Sequence, residues 1–155
     1  MKKYLNFLTY SLFAALVVFA SCGGGDDDDD DDVVEPTPLE QVVASLTNNG
    51  AGATWASSSS SLDGVAAEGW ENFQITINGN ASGGTYSTSG AADATVWPAS
   101  GTWTFSNTTG TKAIRQPDGI ELDITASDNA LTLSFDIPEG RTNGIAGRWS
   151  QTFTR

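Results

Sequence analysis

Apolar and polar positions along this chain change period at Gly50, and that change splits the folded part in two. Before it, Leu39, Val42, Val43 and Leu46 recur at helical spacing and predict one amphipathic helix. Thr37 stands as its N-cap, Pro38 at the first helical position, and Glu40 completes a capping box three residues on. Asn48-Asn49-Gly50 ends it. So short a helix is marginal alone in water, so its apolar face is expected to dock on the rest.

After Gly50 the period is two. Phe73, Ile75 and Ile77 alternate with Gln74, Thr76 and Asn78, and Trp103 and Phe105 with Thr102, Thr104 and Ser106. Ile120, Leu122 and Ile124 alternate with Glu121, Asp123 and Thr125, and Leu131, Leu133, Phe135 and Ile137 with Thr132, Ser134 and Asp136. Trp149 and Phe153 share a face with Gln151 between them. Such alternation marks antiparallel strands with one wet and one dry face. Trp55 opens the first strand, while Tyr86 and Ile114 mark shorter ones. Turn residues separate the runs, among them Asn78-Gly79-Asn80, Pro117-Asp118-Gly119 and Pro138-Glu139-Gly140. Eight strands follow, near 54–61, 72–78, 83–89, 101–106, 112–116, 119–125, 130–137 and 146–154. Short turns favour a meander, and closing it removes the exposed edges. The expected domain over 37–155 is all-β, an eight-stranded antiparallel up-and-down barrel with one short N-terminal helix. A two-sheet β-sandwich is the alternative.

The first residues follow another logic. Lys2 and Lys3 precede a mainly apolar run, Leu5 to Ala20, and the small residues Ala20 and Ser21 stand before Cys22. The run is shorter than the roughly 20 residues of a membrane-spanning helix. It resembles the signal peptide of a bacterial lipoprotein, with Cys22 as the lipidation site. That resemblance implies removal of residues 1–21 and attachment to the membrane through acyl chains on Cys22. An uncleaved transmembrane anchor is the alternative. Cys22 is the only cysteine, so no intrachain disulfide is available.

A Gly/Asp-rich tether, 22–36, comes next: Gly23-Gly24-Gly25, then Asp26, Asp27, Asp28, Asp29, Asp30, Asp31 and Asp32. Adjacent like charges keep such a run extended and solvated. It serves as a spacer or as a sorting tag. An acidic stretch behind the lipidated cysteine resembles the export signal of surface lipoproteins in some Gram-negative bacteria. The expected location is therefore the outer membrane, facing the cell surface. A calcium site on this run lacks the fixed ligand offsets of a shaped loop.

Charge narrows the partners. The full chain carries a net −12, and Lys112, Arg115, Arg141, Arg148 and Arg155 are the only cations after Cys22. Without clustered cations, nucleic acid is not an expected partner. The chain has no histidine, which removes Ser-His-Asp and Cys-His catalysis and histidine metal sites. Ser57 to Ser61 read as a solvated strand or loop with no base beside them, and Lys112 as a Schiff-base lysine would have to be buried. Two carboxylates suffice for a glycosidase, and the candidates are Glu68 with Glu71, and Asp118 with Glu121 and Asp123. Ordinary surface charge explains them better, and calcium on Asp118, Asp128 or Asp136 has no loop signature.

The aromatic positions carry a second resemblance. Trp55, Phe73-x-Ile75-x-Ile77, Gly84-Thr85-Tyr86, Trp97-Pro98-x-x-Gly101-Thr102-Trp103-x-Phe105 and Gly147-Arg148-Trp149-x-x-x-Phe153 look like the small lipocalin-like domains of bacterial surface lipoproteins. The resemblance implies a barrel and speaks to fold more than to function, since many such domains have no assigned activity. Trp70 and Trp97 fall in loops that a meander places at one barrel mouth, as a platform or lid for a ligand. Closure of the barrel end is their alternative role. The reading is a lipid-anchored, non-enzymatic surface lipoprotein that binds a small apolar or glycan ligand and needs no cofactor. The alternative is a structural or accessory subunit of a surface complex, binding a partner protein and no small ligand; a carboxylate-based hydrolase is a distant third.

Overall fold

Alternating apolar positions become inward-facing strand residues, and the polar positions between them form the outer wall. The computed structural model describes residues 34–140 and 145–155. Cys22 and Asp26 to Asp32 lie outside the described residues. Helix α1 (Pro38–Thr47) precedes β1 (Ala53–Leu62), β2 (Val65–Ala66), β3 (Gln74–Asn80), β4 (Gly83–Ser89) and β5 (Ser100–Phe105). Strands β6 (Lys112–Gln116), β7 (Ile120–Ala126), β8 (Ala130–Ile137) and β9 (Gly147–Thr154) complete the order.

From β3 to β9 each strand pairs antiparallel with the next, and β1 pairs with both β3 and β9. The eight long strands thus close on themselves, which decides for the barrel over the sandwich. The short β2 goes beyond the pattern. It is a two-residue return on the edge of β1, made where Asp63 and Gly64 turn at φ +50° and +79°.

Helix α1 begins as the capping box predicts: Glu40 N–H donates to Thr37 Oγ1 at 3.3 Å, and Thr37 N–H donates to Glu40 Oε2 at 2.7 Å. Asn48 closes it in the left-handed region at φ +53°. The helix docks by burying Leu46, whose carbonyl accepts the Trp55 indole N–H at 3.1 Å. Gly110, at φ +74°, passes beneath it; a Cβ there would stand 2.9 Å from Val42 Cβ. Arg155 completes this end, stacked 4.7 Å over the Trp55 ring while donating to the Asp128 carbonyl.

The interior is filled. Trp55, Phe73, Trp97, Phe135 and Phe153 are each at most 1 % exposed, and burying a side chain of this class stabilises by roughly 1.5–3 kcal/mol. An apolar void of about 20 Å³ lies beneath Trp97, between Leu46, Ile75, Tyr86 and Leu133. That is room for about one water molecule, and the lining offers it no polar partner. One register change matters. A bulge between Ser57 and Ser59 shifts β1 against β9, so the inward series Ala53, Trp55 resumes at Ser60. The serine run is therefore not uniformly solvated: Ser60 is buried.

Candidate functional site

The β1–β3, β4–β5 and β6–β7 connections leave the barrel at the end opposite α1. In the β4–β5 loop, Asp93 organises a tight turn. Its Oδ1 accepts from Thr95 N–H at 2.7 Å, and its carbonyl accepts from Val96 and Trp97 N–H at 3.2 and 3.1 Å. Hydrogen bonds from Thr95 hold the Asp93 carboxyl below its ordinary pKa. The turn swings Val96 and Trp97 inward, where both are buried.

Trp97 meets Phe73, Tyr86 and Phe135 at ring-centre distances of 5.8, 5.8 and 5.5 Å, and its indole N–H donates to Gln151 Oε1. Trp70 packs against Phe73 at 5.2 Å and Trp149 at 5.4 Å. Both tryptophans therefore reach one end of the barrel and share Phe73. They are 4 % and 1 % exposed, so they do not form an exposed platform. An open mouth would leave these aromatic faces in water, and folding both loops inward removes that surface. The end is plugged.

The plug has an ionic component. Arg115, on β6, is fully buried, its guanidinium 4.4 Å over Trp97 and 5.1 Å over Phe135. Nε and Nη2 donate to the two carboxylate oxygens of Asp118 at 3.2 and 2.6 Å. The alternation Ala113-x-Arg115 carried a signal for this inward cation, yet composition alone reads it as surface charge. Gln151 was legible as the residue sharing the Trp149 and Phe153 face; its role as hydrogen-bond partner of Trp97 was not. Ser60 Oγ, Arg115 Nη1 and Gln151 Nε2 are buried without a hydrogen-bond partner among the described residues.

The remaining candidates lie on the outside. Lys112 Nζ pairs with Glu121 at 2.5 Å and Asp123 at 3.1 Å; Arg148 pairs with Asp123 and, at 2.6 Å, with Asp136. The Lys112 hydrogen bond lowers the Glu121 pKa, and that of Arg148 lowers Asp123. A glycosidase acid needs the opposite shift. Glu121 raises the pKa of exposed Lys112, again the reverse of a Schiff-base lysine. Glu68 and Glu71 are exposed, Glu71 Oε1 accepting from Gly69 N–H at 3.2 Å. Asp118 and Asp136 border one surface groove, bound to Arg115 and Arg148 respectively, while Asp128 receives Ser45 Oγ at 3.5 Å at the far end. Among the described residues, no helix is long and apolar enough to cross a membrane.

Comparison with protein-family models, curated proteins and solved structures finds no match to this chain. The functional reading rests on sequence and geometry.

Proposed function

We propose that this protein is a lipid-anchored lipoprotein of the outer membrane, displayed at the cell surface, with a lipocalin-like barrel and no catalytic activity. It works through its outer wall, as an accessory subunit of a surface assembly, and not as a carrier with a ligand inside. The plugged interior carries this reading. A carrier barrel keeps an open cavity, whereas here, among the described residues, Trp97 and Arg115 stack on one another inside the barrel and the void beneath Trp97 measures about 20 Å³. The N-terminal pattern through Cys22 supports the anchor. Carboxylates held in ion pairs support a non-enzymatic role, and nucleic acid finds no cation cluster among the described residues.

Two measurements test the reading together. Solvent extraction of the purified protein, followed by mass spectrometry, should yield no stoichiometric apolar compound besides the anchor. Native electrophoresis of detergent-solubilised membranes should show a species larger than one chain. A one-to-one apolar extract from a monomeric species would restore the interior-carrier reading.

A further inference from the structure

Charge is distributed unevenly around this barrel. Of the forty residues between Glu71 and Lys112, Asp93 alone is charged, and between Glu40 and Asp63 none is. At the usual quarter of charged residues, about ten would fall among those forty. Strand register turns this into a surface. Thr54, Thr76, Ser87 and Ser100 stand opposite one another across β1, β3, β4 and β5. Asn78, Thr85 and Thr102 form the next row on the same outer face. Their neighbours in sequence, Trp55, Ile75, Tyr86 and Trp103, are buried, so these rows face out. The ion pairs of Lys112 and Arg148 lie on the other half of the wall, on β6 to β9.

The charge-free half suits one occupant, a second copy of the chain. The full chain carries a net −12, so two copies repel, and they repel least where neither carries charge. A two-fold contact sets each side chain against the same patch of its partner. Excess carboxylates would then meet one another, whereas a hydroxyl or amide both donates and accepts and so complements itself. Thr54 and Thr76 already do this within one chain, their hydroxyl oxygens 2.8 Å apart. Side chains this short also lose little rotamer freedom when a contact fixes them, unlike lysine or glutamate.

We infer that two copies pack as a two-fold dimer through the charge-free outer wall of β1, β3, β4 and β5. This deepens the accessory-subunit reading, on whose working outer wall it rests. Disulfide trapping tests it on the full chain in membranes, with a mild copper oxidant and non-reducing gels. Cys22 is the only cysteine, so the parent chain is the blank. Thr76→Cys, Ser87→Cys and Thr102→Cys report on the face, and Thr125→Cys, exposed on β7, reports on random collision. Near a two-fold axis a residue meets its own copy, so at least one face position should give a two-chain band about fivefold or more above Thr125→Cys. Adding Thr85→Asp, at an exposed position, should cut that yield by about fivefold or more with the melting temperature unchanged, because it sets like charges together. Raising salt should hold or increase the yield, since it screens only the net repulsion. Face yields no higher than Thr125→Cys would overturn the inference, as would a yield that Thr85→Asp leaves untouched or that salt abolishes. Native electrophoresis of the same membranes separates this inference from the reading it rests on. A larger species without face crosslinks keeps the accessory reading with a different partner, and a single-chain species without crosslinks removes both.

Discussion

The Arg115 guanidinium lies 4.4 Å over the Trp97 ring while its Nε and Nη2 donate to the two carboxylate oxygens of Asp118. A cation that is fully buried has no water to fall back on. Asp118→Ala should therefore cost about 3–5 kcal/mol, read from urea unfolding, because it strands a buried charge. Arg115→Met should cost much less, since the remaining carboxylate side chain keeps 17 % exposure and the thioether refills the space over Trp97. Adding Arg115→Met to Asp118→Ala should recover most of the loss. A mild effect of Asp118→Ala alone would mean that the guanidinium reaches solvent.

Truncating the plug should unfold the end it closes. Trp97→Ala and Trp70→Ala are each expected to cost about 3–5 kcal/mol, as for buried aromatic cores elsewhere. Because both rest on Phe73, the double variant should depart from the sum of the single losses. Trp97→Phe should cost less than alanine but still leave Gln151 without its indole partner, a penalty of roughly 1–3 kcal/mol. Losses below 1 kcal/mol in both alanine variants would show loops that open, and the gated-mouth reading would return.

Alternation made the barrel legible, and it failed where a turn or a bulge changed what a position faces. Ile120, Leu122 and Ile124 fall inward as their period predicts. Ser60 does not follow from the sequence, because the bulge after Ser57 depends on how β9 lies alongside. Trp70 and Trp97 lie in loops as their neighbours Gly69 and Pro98 predict, but loop membership says nothing about direction, and both point inward. The Asp93 turn that aims Trp97 inward is visible only as geometry. Arg115 is the largest gap. Its charge reads as surface until Asp118, three residues on, is seen to satisfy it.

The outer ion pairs set an acid limit on stability. Lys112 lowers the pKa of Glu121, and Arg148 with Lys112 lowers that of Asp123. A carboxyl with a depressed folded pKa stabilises above its unfolded value and loses that contribution as pH falls through the folded one. The lattice should thus be fully effective near neutral pH and begin to fail below about 4.5, the ordinary glutamate value, with Asp123 following from 3.8 downward. Lys112→Met/Arg148→Met should flatten that acid slope. High salt should do the same, because these side chains are exposed and screened. An acid slope equal in wild type and double variant would assign it to other carboxylates.

Location and folding should separate cleanly at the N-terminus. Cys22 follows a run ending in small residues, and stable anchoring takes more than one acyl chain. Cys22→Ser should move the protein out of the membrane fraction and abolish incorporation of labelled palmitate. The seven aspartates, Asp26 to Asp32, precede the first capped helix and take part in none of the predicted periodic segments. Replacing them all by serine should leave the thermal melting of the chain within about one degree, while protease shaving of intact cells falls several-fold. The pairing is diagnostic, since a spacer and a sorting tag differ only in the second readout. Unchanged shaving with unchanged melting would reduce the run to a spacer, and unchanged fractionation of Cys22→Ser would remove the lipid anchor itself.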